Sequence, residues 1–403
     1  MFENIIEQGV VSQLQNDITT ASLPQSMLFF GPSESGKGSA ALELARVLSC
    51  EKDTAWKCTC PSCERYRYLQ SDDLLVLGKK NFSAEIAAYC SVFLRNQSQS
   101  TKLLFFRSLR KLQFRFSPFI AEDDPKISKL SSQLLSYDEK LNDFYSLDPA
   151  VESPAMEKLC NALVKEAASL EEEGISSNIP ISHIRNASYW CRLAPAGKRK
   201  ILIIENADNM RDEARNSLLK LLEEPPASIS IVLTSQRKES IIPTILSRLR
   251  PYRFLNRSLE SEQEVLRRVF QAPAFTQANT AGSLITAYLD SFLPASTEKM
   301  YPLAQWFTAQ DYSENSAQTA KALLAKSNNF ENDSFSRFLK ICLDLKAAEA
   351  RKAENPHYIK YYDLYKKYVN EAITAVDVLN QSVTIALEAL LYKLKTGMEW
   401  DYA

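Results

Sequence analysis

Three short apolar runs interrupt a chain otherwise patterned for helix. Residues 26–30 (Ser-Met-Leu-Phe-Phe), 200–204 (Lys-Ile-Leu-Ile-Ile) and 230–234 (Ser-Ile-Val-Leu-Thr) are nearly continuous in apolar character. Parallel strands covered on both faces have that pattern. The first run ends in Gly31-Pro32-Ser33-Glu34-Ser35-Gly36-Lys37, after which Ala40, Leu44, Ala45 and Leu48 keep a helical period. A second helical pattern over 210–222 separates the other two runs. Alternating strand and helix predicts an α/β fold built on a parallel sheet. Ahead of it, Ile5, Ile6, Val10, Leu14 and Ile18 predict a lead-in helix over 4–22.

The alternation stops between about 80 and 178, which reads as a large insertion appended to the surface of the sheet domain. Within it Phe105, Leu109, Leu112 and Phe116 fall at helical spacing with Arg107, Arg110, Lys111 and Arg115 between them. A basic amphipathic helix over 101–116 is expected. Its phenylalanines suit packing on the host domain; contact with DNA phosphates is the other reading. A second helix is predicted over 155–173, with Gly174 as terminator, and 117–125 reads as a turn. Beyond Phe254 the strands cease, and helical patterns separated by Pro273, Pro294, Pro302 and Pro356 fill the rest. The expected division is an α/β domain over 1–253, a small helical lid over 254–293 and an all-α domain over 294–403.

Composition narrows the class. The 403 residues suit two or three domains, 45% are apolar and 24% charged, and Lys+Arg (48) balances Asp+Glu (49). A globally basic nucleic-acid binder is excluded, though local basic patches are not. Only nine glycines favour a helix-rich chain. No apolar run approaches the ~20 residues a membrane span requires. The first residues lack a secretory pattern, so a cytoplasmic location with reduced cysteines is expected.

Two constellations carry chemistry. Gly31 to Lys37 fits G-x-x-x-x-G-K, a loop whose backbone amides cradle phosphate while the lysine reaches the terminal phosphates. The next residue should be Ser or Thr, to bind magnesium, and is Gly38; Ser39 lies about 100° further around the helix. The strand over 200–204 ends in Glu205-Asn206, where Glu205 could hold a metal but Asn206 cannot serve as a base. ATP or ADP binding therefore stays open, and efficient hydrolysis is not expected. Secondly, Cys50, Cys58, Cys60 and Cys63 form C-x7-C-x-C-x2-C, four thiols within fourteen residues, the donor set of a structural zinc. Cys90, Cys160, Cys191 and Cys342 are scattered and read as core fillers, and His183 and His357 as isolated.

Asn216-Ser217-Leu218-Leu219-Lys220-Leu221-Leu222-Glu223-Glu224-Pro225-Pro226, then Leu233-Thr234-Ser235, then Pro243-Thr244-Ile245-Leu246-Ser247-Arg248, resembles the bacterial DNA polymerase III clamp-loader family of AAA+ proteins. The resemblance covers about 1–78 and 179–293. It implies an AAA+ P-loop domain, a lid and a helical collar for oligomerisation, and a four-cysteine zinc module of this kind. In that family the γ/τ subunits hydrolyse ATP, whereas the delta-prime type has degenerate ATP motifs. Gly38 and Asn206 place this chain with the latter, as an ATPase-inactive stator of the polymerase III holoenzyme. The resemblance further makes Thr234 a sensor residue and Arg248 an arginine finger offered in trans to a neighbouring subunit's ATP. The family's Gly-x-x-x-Arg sensor aligns with 282–287, which has no arginine, and Leu249 replaces the usual Cys. Implied partners are γ/τ and delta subunits in a hetero-oligomer, and through it the sliding clamp and primer-template DNA. An active γ/τ-type ATPase and a diverged AAA+ scaffold outside replication are the alternatives.

Overall fold

The computed structural model describes residues 1–403 except 79–81, 122–123, 152–153, 176–177, 276–282, 293–296, 311–331, 353–355, 378–380 and 400–403. Its centre is an all-parallel sheet of five strands, β1 (Ser26–Phe30), β2 (Leu74–Gly78), β3 (Lys200–Glu205), β4 (Ile229–Ser235) and β5 (Arg250–Arg253), in the order β2-β3-β4-β1-β5. The α/β expectation holds. Sequence reading passed over β2 and β5. Leu74 to Leu77 is a run of only four apolar residues, and β5 (Arg-Pro-Tyr-Arg) sits at the sheet edge, where only Tyr252 is buried.

The strands are continuous in apolar character because successive side chains enter different cores. Leu28, Leu75, Leu77, Leu202, Ile204, Ile231 and Leu233 point to one face, where Trp190 of the helix Ile181–Arg192 and Leu218 of Asp212–Glu223 pack. Met27, Phe29, Leu74, Val76, Ile201, Ile203 and Val232 point to the other, against Leu14, Ala40 and Leu44. Fully burying such a side chain stabilises by about 1.5–3 kcal/mol. The predicted lead-in helix is shorter than expected, Val10–Thr19. Its apolar residues Ile5 and Ile6 are buried from a preceding turn in which Phe2 and Glu7 have positive φ.

The segment between β2 and β3 has its own helices, Phe82–Arg95, Gln99–Gln113, Ser131–Ser146 and Pro154–Gly174, around a core of Phe93, Phe105, Leu109, Tyr137, Phe144 and Leu163. The basic helix begins at a Ser98–Thr101 capping box and tightens to a 3₁₀ turn at Phe114–Phe116. The turn expected over 117–125 includes a short helix, Pro118–Ala121. This segment is not the surface appendage that its composition suggests. Ile120 joins one core of the sheet, Phe114 packs against the other, and Arg115 reaches β2 and β3.

It also holds the helices that follow the sheet. Tyr89 stacks on Phe270 at 5.0 Å, Asn96 donates to Gln271 at 2.8 Å, and Arg95 donates to the Tyr288 hydroxyl at 3.2 Å. The helices Leu259–Arg268 and Leu284–Asp290 are tied this way, and by the backbone N–H of Leu284, which donates to Glu262.

The chain divides into two compact units, Met1–Leu289 and Asp290–Ala403. The second is helical, with Thr297–Thr308, Asn332–Lys352, Pro356–Asp377 and Val383–Glu399 packed around Phe307, Phe338, Leu339, Tyr365, Val369, Leu387 and Leu390. Among the described residues no helix is long and apolar enough to cross a membrane.

Candidate phosphate loop and metal centre

The carboxyl ends of the strands meet at the phosphate loop. Gly31 follows β1 so closely to β5 that a Cβ there would stand 2.2 Å from the Phe254 carbonyl oxygen. Gly36, at φ +92°, turns the chain into the helix Lys37–Ser49 without a side-chain cap. This is the strand–loop–helix arrangement expected from the motif, but its cation is turned inward. Lys37 Nζ donates to the Gly31 carbonyl at 2.7 Å, to that of Pro32, and to Ser35 Oγ at 3.3 Å. Burial pushes its pKa down to about 8, against the opposing pull of Glu34, Asp208 and Glu205. From outside, Arg257 donates to the carbonyls of Glu34 and Ser35, both at 3.3 Å, and to that of Ile6. The loop's carbonyls are thus held from both sides.

At the end of β3, Glu205 is buried, and its Oε2 accepts from Arg115 of the inserted segment. Arg115 is buried as well. It also donates to the Val76 carbonyl, and its Cζ lies 5.1 Å from the Phe82 ring centroid. Asn206 takes a left-handed conformation, and its backbone N–H donates to Thr234 Oγ1 at 3.1 Å. Gly38, Glu205, Asn206 and Thr234 are therefore brought together beside Lys37, but the residues do not fit a magnesium ion. Gly38 offers no hydroxyl, and the Glu205 carboxylate is occupied by a guanidinium.

The cysteine cluster sits at the other end of the same helix. Cys50, Cys58, Cys60 and Cys63 are all buried, with their sulfur atoms within 4.8 Å of one another. Cys50 Sγ lies 3.6 Å from that of Cys58 and 4.0 Å from that of Cys60. Four sulfurs about 2.3 Å from a tetrahedral zinc would be about 3.8 Å apart, so the set fits that ion. Donors already face the sulfurs: Lys52 N–H and Thr54 N–H to Cys50 at 3.4 and 3.3 Å, Cys63 N–H to Cys60 at 3.4 Å, and Arg46 to Cys63 at 3.0 Å. Burial opposes ionisation of Cys60, but the backbone N–H groups of Glu51 and Cys63 bring its pKa down to about 6. Burial pushes Cys63 up. A divalent cation is what allows all four to ionise together. Zinc bound here would cross-link the segment and leave no open position for a reactant.

Arg46 is the main addition to this site. It pairs with buried Glu43 at 2.7 Å and donates to the Thr54 carbonyl at 3.1 Å, joining the helix to the cluster. A Glu-x-x-Arg spacing on a helix facing the sheet was the available sign of it. Lys198, two residues before β3, donates to the Cys50 carbonyl. The basic helix likewise spends its charges inside the chain. Lys102 donates to the carbonyls of Tyr145 and Leu147, Arg110 to that of Leu69, and Lys111 pairs with Glu85. These contacts favour the packing reading over DNA contact.

Arg248 lies apart from the loop. It follows the short helix Pro243–Leu246, donates to the Thr244 carbonyl at 2.6 Å, and pairs with Glu223 at 2.6 Å with its side chain one-third exposed. Gly282 of the aligned sensor lies outside the described residues.

A parallel five-stranded sheet with a phosphate loop after β1, an interior strand, continued by helices, is the α/β P-loop arrangement expected from the sequence. The family model described as DNA polymerase III, delta subunit, matches residues 6–116 and 126–258, well over half of the chain, and the chain belongs to that family. The matched ranges run through much of the segment between β2 and β3. Among curated relatives, the DNA polymerase III subunit delta' of Pseudomonas aeruginosa is 35% identical over 80 residues, 20% of this chain and 24% of that protein. An uncharacterised protein of Mycoplasma pneumoniae is 36% identical over 58 residues, 14% of this chain and 23% of its own length. The chain thus spans about a quarter of each of these relatives. A DNA polymerase III gamma subunit-related protein of Thermotoga maritima has 18% identity and a TM-score of 0.31, covering 55% of this chain and 80% of that one.

Proposed function

We propose that this chain is a delta-prime-type subunit of the DNA polymerase III clamp loader, a stator that turns over no ATP of its own. It joins γ/τ and delta subunits in a cytoplasmic hetero-oligomer and helps place the sliding clamp on primed DNA. Residues 254–293 serve as lid, 294–403 as oligomerising collar, and the four cysteines hold structural zinc. The observation that carries this reading is the pairing of Glu205 with Arg115 beside Gly38, which leaves the loop without the ligands that hydrolysis requires. To reach a phosphate of ATP or ADP, Lys37 would have to leave its carbonyl partners.

Arg248 is the residue through which the chain takes part in phosphoryl transfer. Its planar, permanently charged fork lies on Glu223 in the isolated chain and would move to a neighbour's phosphate across a subunit interface. Fingers supplied in trans are worth about 10³–10⁵ in rate. In a reconstituted loader, Arg248→Ala is expected to lower clamp- and DNA-stimulated ATP hydrolysis while leaving assembly intact by size-exclusion chromatography. Normal turnover in an assembled Arg248→Ala complex would remove the finger role. Steady phosphate release by the isolated chain, lost in Lys37→Ala, would instead make it a γ/τ-type ATPase. Affinity purification from the native cell without polymerase III subunits would move it outside replication.

A further inference from the structure

Positions 38, 115 and 205 are far apart in the sequence and share one small volume. Arg115 uses two of its three guanidinium nitrogens, one on the Val76 carbonyl and one on Glu205 Oε2; Nε has no partner among the described residues. The other carboxylate oxygen, Oε1, lies across the backbone of Gly38, and a Cβ there would stand 2.8 Å from it. A free carboxylate would swing aside from such a contact. This one is buried and pinned by a guanidinium that is itself buried, so moving it breaks a desolvated charge pair.

We propose that Arg115 is a resident cation in place of the loop's metal ion: it takes the carboxylate that a divalent cation would need, and by fixing that carboxylate it commits position 38 to glycine. The inference deepens the reading of a loop without turnover, on which it rests, and identifies what keeps the loop in that state. Arginine suits the role because its charge is permanent and its fork geometry fixed, whereas magnesium demands octahedral oxygen ligands that this site lacks. A hydroxyl restored at position 38 alone would therefore meet a blocked site.

The test is a thermal-unfolding cycle on the zinc-loaded full chain. Alanine normally improves on glycine inside a helix by about 1 kcal/mol. Here Gly38→Ala is expected to lower the midpoint by about 3 °C in the natural background and to leave it level or raise it when Arg115→Met is also present. If Arg115→Met alone does not fold, Arg115→Met/Glu205→Ala, which buries no charge, serves as the second background. Equal effects of Gly38→Ala in both backgrounds, or stabilisation in both, overturn the proposal. A second readout is metal addition: millimolar Mn²⁺ is expected to leave the natural chain's midpoint unchanged, and a rise that Glu205→Gln abolishes overturns the proposal as well. Phosphate release dependent on Lys37 would sink the proposed function independently of either result.

Discussion

The helix Lys37–Ser49 has a phosphate loop at one end and the first cysteine of the four-cysteine cluster at the other, and the two ends differ in what their geometry suits. At the cysteine end every donor comes from within fourteen residues, the sulfurs already stand at metal-binding separations, and backbone N–H groups face them. At the loop end the cradle is formed, but its lysine bonds its own carbonyls and its carboxylate has an internal cation. A motif whose ligands are all local can be judged from spacing. A motif completed by distant residues can keep its shape after losing its chemistry, because Gly31 and Gly36 are fixed by backbone geometry and not by the nucleotide.

Four experiments would break or sharpen that contrast. Replacing Cys58 and Cys60 together by Ser is expected to have the largest effect. Elemental analysis should fall from about one zinc per chain to none, with the 50–63 segment losing folding energy on the order of 10 kcal/mol; retained stoichiometric zinc would refute the cluster. Deleting residues 82–174 should leave zinc in place while lowering unfolding free energy by on the order of 5 kcal/mol, since Ile120, Phe114 and the cover of Phe270 go with it. An unchanged denaturation midpoint would return that segment to the status of an appendage.

The third concerns pH. Lys37 titrates near 8 in the folded chain and near 10.5 unfolded, so between those values the unfolded chain holds more protons, and stability rises with pH. The cost of burying the ammonium is present in full below pH 8. Relative to Lys37→Met, the natural protein should gain on the order of 1–3 kcal/mol from pH 8 to 10.5; parallel pH profiles would show that the lysine is solvated. The smallest effect is expected at Arg248. Its pair with Glu223 is partly exposed, so Arg248→Ala in the isolated chain should cost less than about 1 kcal/mol in denaturant unfolding. A larger loss would mean that the residue is structural in its own subunit.

Much of this was legible in the sequence. The strands β1, β3 and β4 were, because a parallel strand between two helical layers leaves a run without polar interruption; β5, half polar at an edge, leaves none. The helix Pro154–Gly174 was legible to within a residue at each end, and Gly174 ends it where a Cβ would meet Phe116 at 2.4 Å. The cysteines and the weakened loop could be read from spacing and residue type. Arg115 could not: it appeared as one of several cations on an amphipathic helix, and nothing local separates a guanidinium in solvent from one driven into the end of a sheet. Arg257 was hidden for the same reason, its partners being carbonyls of residues 6, 34 and 35.

The stack of Tyr89 on Phe270, with the hydrogen bonds from Asn96 and Arg95 beside it, has a mechanical consequence. The joint between the sheet and the helices that follow it is bridged by a strut rooted in the crossover between β2 and β3, with aromatic packing across the gap and two polar latches on its flank. A force applied to those helices would be carried into the crossover segment with little absorbed at the joint, so the first unit would turn as one piece.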